Sequence, residues 1–342
     1  MRELLIKTES KESRILFGES LSNLSKYLPD KKIIVITDTN VKRLYGDKFA
    51  QYDMIEIGLG EKNKTIATLD YIFEKLIEFE ADRSTFIVGI GGGIVCDVTG
   101  IAASIYMRGV RFGFVSSTLL AQVDASVGGK NGVNFKGYKN MIGVFNQPEF
   151  VICDLEMLKT LEKREVATGF AEIVKAGLIK RKDLFEYIEE NYEKALALDN
   201  EVIEKMVYDS VCMKADVVEA DERESGERKK LNFGHTFGHA YEKLSTLTHG
   251  EAVSIGMVDA AMLSMKRGLV SQNDVDRITS LLINLGLPTE LKQGTSVMAN
   301  AMKKDKKRSG DKISFVVLKS IGEATFEPVA INQLEELLND LR

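Results

Sequence analysis

All three histidines of this 342-residue chain lie in one short segment, at His235, His239 and His249. Histidine is the commonest metal ligand and carries protons near neutral pH, so this segment is a candidate for chemistry. Upstream, Glu172 and Lys175 lie three residues apart on one face of a predicted helix. A carboxylate and histidines from separate helices are typical of a catalytic zinc site with an open coordination position.

The residues alone leave two other interpretations of these histidines open. They are also compatible with structural histidines whose rings make ordinary hydrogen bonds. In addition, spacing by itself pairs His235 with His239, which are i,i+4 neighbours on one helix face. The sequence therefore predicts a metal site without deciding its ligands.

Composition limits the class of protein. Hydrophobic residues make up 44% of the chain and charged residues 28%, which is typical of a globular protein, and the length predicts two domains. A net charge of −5 argues against nucleic acid as a partner. The chain begins without the apolar core of a signal peptide, and no apolar run approaches the roughly 18 residues that span a membrane.

The cysteines bear on the compartment. Cys96, Cys153 and Cys212 are odd in number, widely separated and without a CxxC motif. This pattern is typical of reduced thiols, and we expect a cytoplasmic protein that does not bind membranes.

The first part of the chain alternates strand-like and helix-like segments. Thr65 is predicted to cap a helix whose apolar residues follow helical spacing. This alternation predicts a parallel, Rossmann-like α/β sheet. The predicted strands are Lys32–Thr37, Met54–Ile57, Thr85–Ile90, Phe112–Val115 and Phe150–Cys153.

After about residue 160 helical periodicity dominates, and only Lys312–Leu318 has a strand pattern. We therefore expect an α/β domain over residues 1–160 and a mostly helical domain over residues 161–342, with the active site in the cleft between them. The predicted helices cover 163–181, 183–195, 200–219, 232–245, 250–267, 272–285 and 331–341.

Two segments of the first domain are typical of nucleotide binding. Three glycines, residues 91–93, follow a predicted strand and open a helix that contains Asp97, as at a site for a pyrophosphate. Asp38 and Asn40 end another strand, where a ribose or adenine is often bound. A tight structural turn and a helix cap explain these two segments equally well.

Lysine and glycine are concentrated in residues 124–140, which contain Lys130, Lys136 and Lys139. Glycine allows close backbone approach and lysine suits phosphate, although a surface loop has the same composition. The charged residues that precede the histidines are, in the same way, usually solvated.

Taken together, these motifs resemble the 3-dehydroquinate synthase family of sugar phosphate cyclases. The resemblance follows nearly the whole chain, and its most specific parts are GFAEIVKAG and LNFGHTFGHA. The other matching segments are GGGIVCD, YMRG, LLAQVDASVGGK, GYKNMIGVFNQP and HGEAVSIGM. Departures from the family pattern are Leu59, Cys96 and Ser116-Ser117, all on the cofactor side.

The resemblance implies a carbon–oxygen lyase of the shikimate pathway that uses NAD and a divalent metal, zinc or cobalt. Its substrate is 3-deoxy-D-arabino-heptulosonate 7-phosphate, a phosphorylated sugar acid. NAD transiently oxidises a hydroxyl, phosphate is eliminated, the ketone is reduced again, and an intramolecular aldol reaction closes the ring. The resemblance also implies a homodimer.

Carried over by position, the resemblance assigns Glu172, His235 and His249 to the metal. Asp124 and Lys175 are similar to residues that hold substrate hydroxyls, and Lys214 and Arg228 to residues that grip its carboxylate. The phosphate-binding set is Lys130, Asn140, Asn232, His239 and Lys306 or its neighbour Lys307, with Arg108 supplied across the dimer interface. Lys175, His239, Asp124, Lys130 and Asn140 are the expected catalytic residues. The NAD-binding set is Asp38, Asn40, Glu61, Lys64, Gly92, Gly93, Asp97, Ser117, Thr118, Lys139, Thr160, Leu161 and Glu165.

Three alternative functions stay open at this point. A metal-dependent polyol or alcohol dehydrogenase would release NADH and would not need so many phosphate-directed lysines. A related cyclase that makes an inosose or a valiolone would not need both Lys214 and Arg228, because its substrate is not an acid. A non-catalytic scaffold is disfavoured, because the chemistry-bearing positions are intact.

Overall fold

The computed structural model describes residues 2–9, 11–303, 308–309 and 311–341. By its internal contacts the chain divides into two compact units. The first unit holds the residues through Leu161 together with Lys214–Arg223, and the second holds Glu162–Met213 and the residues from Glu224 onward.

Twelve strands are found among the described residues. They are β1 (Arg2–Lys7), β2 (Glu12–Phe17), β3 (Ile33–Asp38), β4 (Asp53–Ile57), β5 (Phe86–Gly91), β6 (Arg111–Ser116), β7 (Lys130–Phe135), β8 (Tyr138–Phe145), β9 (Phe150–Cys153), β10 (Arg308–Ser309), β11 (Lys312–Ser320) and β12 (Glu323–Ala330).

Eleven α-helices occur in the same described part of the chain, joined by short 3-10 and π turns. They are α1 (Thr39–Tyr45), α2 (Ile66–Glu78), α3 (Gly93–Ile105), α4 (Lys163–Ile179), α5 (Lys182–Leu196), α6 (Asn200–Ala220), α7 (His235–Leu244), α8 (His249–Lys266), α9 (Gln272–Asn284), α10 (Thr295–Lys303) and α11 (Leu334–Asp340). None of the described helices is both long and apolar enough to cross a membrane.

The first unit is built on a seven-stranded sheet with the order β1-β2-β9-β6-β5-β3-β4. All neighbours are parallel except β1 and β2, which form an antiparallel hairpin. The central strands are buried on both faces, as their continuous apolar runs require. The predicted parallel α/β architecture is therefore confirmed.

The second unit is mostly helical, as predicted. Helix α8 packs against α4, α7 and α9, and the small sheet β10-β11-β12 also lies against it through β11. Helix α4 is buried from Val166 to Ile179, so Glu172 and Lys175 lie inside the protein, whereas the charged residues of its first turn are exposed.

Several local predictions are confirmed by individual hydrogen bonds. The Thr65 hydroxyl accepts from the Thr68 amide and caps α2, and the Asp38 carboxylate accepts from the Val41 amide and caps α1. The interpretation of Asp38 as a helix cap is thus correct.

Other predictions are wrong in a consistent way. Residues 130–145 form the antiparallel hairpin β7–β8, and β12 pairs with β11, where the sequence analysis predicts no strands. The structure also contains the β1–β2 hairpin and helix α10, which the sequence analysis did not predict. The missed strands are partly exposed, so their side chains lack the apolar pattern on which the prediction depends.

Candidate active site

Glu172 and Lys175 lie on one face of α4, as their spacing predicts. Both side chains are buried, and the Lys175 ammonium contacts Glu172 Oε2. A buried charge is costly unless it is paired, so this ion pair explains how two charged residues are tolerated in the buried part of α4.

His235 is the first residue of α7 and follows Gly234, which adopts the left-handed conformation with φ of 76°. A Cβ atom at Gly234 would lie 2.9 Å from the Met257 amide nitrogen and 3.0 Å from the Val253 carbonyl oxygen, both on α8. Both the positive φ and the close contact with α8 require glycine at position 234, and this glycine lets the start of α7 approach α8 closely.

His249 is the first residue of α8, and a capping box fixes that start. The Thr248 hydroxyl accepts from the Glu251 amide while the Glu251 carboxylate accepts from the Thr248 amide. Arg164 of α4 donates two hydrogen bonds to Glu251, at 2.7 and 2.6 Å, and the Thr168 hydroxyl lies 2.9 Å from the Thr248 hydroxyl. These contacts, which we call the α4–α8 clamp, hold His249 beside α4.

The three residues assigned to the metal come together within the second unit. One ligand atom from each of Glu172, His235 and His249 lies within 4.8 Å of the others. Glu172 Oε1 is 3.7 Å from His235 Nε2 and 3.6 Å from His249 Nε2. Tetrahedral ligands bound at about 2.0–2.2 Å are separated by roughly 3.3–3.6 Å, so these residues fit a zinc-sized ion.

The second nitrogen of each imidazole faces an oxygen. His235 Nδ1 is 3.0 Å from the Phe233 carbonyl oxygen, and His249 Nδ1 is 3.8 Å from Glu242 Oε1. A proton held on Nδ1 leaves the Nε2 lone pair directed toward Glu172, as metal ligation requires. Burial lowers the pKa of His249, but the carboxylates of Glu172 and Glu242 outweigh it and raise that pKa to about 9.

The His239 ring lies beside the three ligand residues. Its centroid is 5.4 Å from that of His235 and 6.4 Å from that of His249. Among the described residues, Glu172, His235 and His249 form a group whose ligand atoms lie close enough to share a metal, and His239 is not part of that group.

The candidate nucleotide site lies at the carboxyl edge of the first unit's sheet. From β3 the chain turns to β4 on one side and then crosses to β5 on the other, so the direction of winding reverses between β3 and β5. Asp38 and the glycine turn 91–93 end those two neighbouring strands. In open α/β sheets, ligands bind at this reversal point.

Close packing explains the glycines of this turn. A Cβ atom at Gly93 would lie 2.9 Å from the Ala125 Cβ, and one at Gly92 would lie 3.1 Å from Thr118 Cγ2. Gly92 caps α3 without a side-chain hydrogen bond, so the first amides of this helix are available to an anion.

Charged side chains near this turn form ion pairs and hydrogen bonds with neighbouring residues. The Lys64 ammonium contacts the Asp97 carboxylate, and both groups are largely buried. Burial raises the pKa of Asp97, which Lys64 opposes. Glu61 accepts a 2.8 Å hydrogen bond from Asn134 and lies 3.8 Å from the Lys139 ammonium.

The remaining candidates for NAD are spread over other elements. Asn40 lies on α1, and Ser117 follows β6, with its amide donating to the Gly91 carbonyl at 2.9 Å. The Thr118 hydroxyl accepts from the Ala121 amide, and the Thr160 hydroxyl lies 2.8 Å from that of Tyr45. Leu161 ends the first stretch of the first unit, whereas Glu165 lies on α4 in the second unit.

Two residues assigned to different parts of the substrate form an ion pair within the first unit. The Lys214 ammonium lies 2.6 Å from Asp124 Oδ1 and donates also to the Asp124 carbonyl, at 2.6 Å. Spacing along the chain offers no signal for this pair, because Asp124 lies in a π turn and Lys214 on α6.

Arg228 and Asn232 lie on the 3-10 helix Glu227–Asn232 that precedes α7. Arg228 is buried, and Asn232 donates a 2.6 Å hydrogen bond to Glu224. Burial of a guanidinium next to the histidine segment is consistent with a site for an anion.

The hairpin β7–β8 carries the other phosphate candidates. Lys130 begins β7. Asn140 lies on β8 with a φ of 48°, and its backbone amide donates a hydrogen bond to Asn134 Oδ1. Arg108 is exposed at the end of the turn that follows α3, with a φ of 70°. Lys306 and Lys307 lie outside the described residues.

The sequence analysis missed the groups that support the metal candidates. These are Glu242 and the α4–α8 clamp. A signal existed for Glu242, which follows His235 by seven residues and His239 by three and so shares their helix face. The Thr248–Glu251 capping box has a sequence signature, but no local signal exists for the pairing of Arg164 with Glu251, because these two residues are distant in sequence.

The fold and the site define a class: an α/β unit with a dinucleotide-type sheet edge, joined in one chain to a helical unit with a Glu-His-His cluster. Residues 54–168 match the family model "3-dehydroquinate synthase N-terminal", and residues 169–308 match "3-dehydroquinate synthase C-terminal". A 3-dehydroquinate synthase of Nitrosospira multiformis is 42% identical over 92% of this chain and 89% of its own length. The chain belongs to the 3-dehydroquinate synthase family.

Solved structures agree in fold. A 2-deoxy-scyllo-inosose synthase in complex with carbaglucose-6-phosphate, NAD+ and Co2+ has a TM-score of 0.89 at 26% identity, covering 99% of this chain and 100% of its own. A 2-epi-5-epi-valiolone synthase of Streptomyces hygroscopicus with NAD+ and Zn2+ has a TM-score of 0.88 at 27% identity, covering 100% and 99%.

Proposed function

We propose that this protein is a 3-dehydroquinate synthase that converts 3-deoxy-D-arabino-heptulosonate 7-phosphate into 3-dehydroquinate and phosphate. The observation that supports the proposal is a difference in sequence identity between two groups of relatives. A relative of that name is 42% identical over most of the chain, whereas cyclases that make an inosose or a valiolone are 26% and 27% identical.

The metal site of the proposal consists of Glu172, His235 and His249. Their donor atoms lie within 4.8 Å of one another, with Glu172 and His235 buried and His249 partly exposed, and this spacing suits one divalent ion, zinc or cobalt. Such an ion, when bound, supplies positive charge that orients substrate hydroxyls and stabilises developing oxyanions. The Lys175 ammonium, which contacts Glu172, is proposed to hold a substrate hydroxyl.

The proposed NAD site is at the carboxyl ends of the neighbouring strands β3 and β5. The α3 amides bind the pyrophosphate, and Asp38 binds a ribose hydroxyl. NAD, when bound, would supply an acceptor for the hydride on the carbon that bears the substrate hydroxyl, and it would return that hydride later in the same cycle. The other residues proposed for this site are Asn40, Glu61, Lys64, Gly92, Gly93, Asp97, Ser117, Thr118, Lys139, Thr160, Leu161 and Glu165.

The anionic ends of the substrate need fixed cations. Lys214 and Arg228 are proposed for the carboxylate; the short contact between Lys214 and Asp124 holds that ammonium in place before substrate arrives. The phosphate is proposed to bind Lys130, Asn140, Asn232, His239 and Lys306. Each charged hydrogen bond contributes about 1.5–3 kcal/mol, so several together hold a dianion.

A homodimer belongs to the same proposal. The outer edge of β8 pairs with no other strand among the described residues, and Tyr138, Met141 and Phe145 on β8 are exposed. Edge strands of this kind pair with a second copy, and a two-fold axis makes such pairing antiparallel. Arg108, exposed beside the exposed Met107, is proposed to enter the neighbour's site.

The cytoplasm is the proposed compartment, and residues 1–160 and 161–342 are the proposed NAD-binding and metal-binding domains. The three cysteines are not joined in disulfides, which suits a reducing compartment. The two family matches meet between residues 168 and 169, close to the proposed boundary.

The direct test is turnover of the purified protein with a divalent metal and the heptulosonate phosphate. We expect one phosphate and one 3-dehydroquinate per substrate, no lasting accumulation of NADH, and no phosphate release without NAD. Continued accumulation of NADH with an oxidised product would instead identify a dehydrogenase.

A second test separates this function from a cyclase that acts on a neutral sugar phosphate. Arg228→Ala should lower kcat/KM for the heptulosonate phosphate by about 30- to 1000-fold, or about 2–4 kcal/mol, because a buried guanidinium no longer grips the carboxylate. Binding of a sugar phosphate without a carboxylate should change little. Equal losses for both compounds would show that Arg228 has a structural role.

A further inference from the structure

The two imidazoles of the Glu-His-His cluster are held in place by different means. His235 is largely buried, and a backbone carbonyl oxygen, that of Phe233, lies 3.0 Å from its Nδ1. The His249 side chain is 30% exposed and lies on the first turn of α8, where the Glu172 and Glu242 carboxylates lie on either side of its ring, 3.6 Å from Nε2 and 3.8 Å from Nδ1. His249 therefore depends on another side chain for its orientation.

Glu242 is the carboxylate that faces the outer nitrogen of His249. Its Oε1 lies 3.8 Å from His249 Nδ1, and its side chain is 10% exposed. Glu242 is on α7, seven residues after His235 and three after His239, so one helix face carries a metal candidate, a phosphate candidate and this carboxylate.

An imidazole binds a metal through Nε2 only when its proton is on Nδ1. A carboxylate opposite Nδ1 favours that tautomer, fixes the plane of the ring and makes the ring a stronger ligand than a neutral carbonyl does. The geometry thus places a carboxylate beside Nδ1 of His249, the more exposed ligand, where His235 has a backbone carbonyl oxygen.

We propose that Glu242 is a positioning residue of the metal site, which acts through His249 and does not itself bind the ion. The inference rests on the proposed metal site. It assigns to Glu242 a share of metal affinity that a merely structural residue on α7 would not have.

The experiment compares Glu242→Ala and Glu242→Gln with a control on the same helix. Tyr241→Phe removes a hydroxyl that donates a 2.8 Å hydrogen bond to Asp259 on α8, so it weakens packing of α7 without touching a histidine. Zn2+ affinity is measured by competition with a chromophoric chelator, and circular dichroism confirms folding.

We expect Glu242→Ala to weaken Zn2+ binding by about 10- to 100-fold, the usual effect of removing a group that orients a ligand. Glu242→Gln keeps an oxygen acceptor and should lose less, and Tyr241→Phe should match the wild type. Affinity unchanged in both Glu242 variants, or an equal loss in Tyr241→Phe, would overturn the inference.

Two further outcomes are distinguished by separate measurements. If Glu242→Ala does not fold, the Co2+ form of Glu242→Gln decides, since a weaker His249 ligand shifts its visible absorption bands and an unshifted spectrum refutes the role. If the wild-type protein itself binds no divalent metal, both the inference and the proposed metal site are wrong.

Discussion

Two candidate binding regions of this protein are built by different means. One is the sheet edge of the first unit, where the carboxyl ends of the strands lie, and the other is the histidine cluster of the second unit. At the sheet edge the important groups belong to the backbone: the glycine turn 91–93, the first amides of α3 and the amide of Ser117. In the histidine cluster they are side chains that three helices bring together.

This difference explains where the chain departs from its family pattern. Cys96 and Ser116-Ser117 lie in the region built from backbone, where their side chains are buried and Ser117 contributes its amide to Gly91. A change of side chain there leaves the backbone groups in place. In the histidine cluster the side chains are themselves the ligands, and a comparable change would remove one.

The largest expected effect comes from removal of one histidine, which tests whether the second region depends on its side chains. His249→Ala should lose the metal completely, because a ligand is gone, whereas His239→Ala should keep it and lose phosphate elimination. Metal content of the purified variants decides the matter. Circular dichroism must accompany it, because loss of a metal can also unfold a local helix.

The reverse pattern, with metal lost in His239→Ala and kept in His249→Ala, would restore the i,i+4 pair of His235 and His239. It would also mean that the cluster seen in the structure is not the metal site.

Each region also contains a buried ion pair, and these pairs sharpen the comparison. Lys64→Met leaves Asp97 without its cation and should reduce the free energy of unfolding by about 3–5 kcal/mol, with or without metal. Lys175→Met should cost a similar amount in metal-free protein and less when metal is bound, because the ion then compensates Glu172.

Chemical denaturation with and without Zn2+ measures both effects. A Zn2+ effect of equal size in the two variants would contradict the assignment of Glu172 to the metal.

A methyl group added to the glycine turn should affect the first region alone. Gly93→Ala places a Cβ 2.9 Å from the Ala125 Cβ, and such overpacking costs about 1–3 kcal/mol. We expect NAD binding to weaken by about 5- to 150-fold, measured by calorimetry, with metal content unchanged.

Gly46→Ala is the matched control in the same unit. Its Cβ would meet only Lys42 Cγ, at an ordinary 3.5 Å, so NAD affinity should stay at the wild-type value. If Gly93→Ala also binds NAD normally, the turn is a structural one.

The smallest predicted effect concerns the α4–α8 clamp. Arg164→Ala removes a bidentate pair with Glu251 that is partly exposed, so its contribution to stability is about 1 kcal/mol or less. Zn2+ affinity should still fall by a few-fold, because the clamp holds the helix that begins with His249.

Arg111→Ala serves as the control. Arg111 makes a bidentate pair of similar exposure with Glu149 in the first unit. A thermal melt should report a comparable loss for both variants, and chelator competition should report weaker Zn2+ binding for Arg164→Ala alone. Equal Zn2+ affinities would show that the clamp does not position His249.

Sequence patterns predicted the regular parts of the fold well and its exposed strands poorly. Strands β3, β5, β6 and β9 are recognisable because burial on both faces demands an unbroken apolar run. Strand β8 is exposed along most of its length, so no apolar pattern marks it, and pairing with β7 alone makes it a strand.

By itself the sequence determined the parallel sheet, the helical second half, the glycine turn and the histidine segment, because each follows from local periodicity or residue type. Only the tertiary structure decided which atoms meet: His249 rather than His239 with Glu172, Lys214 with Asp124, and Glu242 behind His249. Local spacing fixes neighbours within one helix or strand. Contacts between distant segments depend on how whole elements pack, and no short stretch of sequence contains that information.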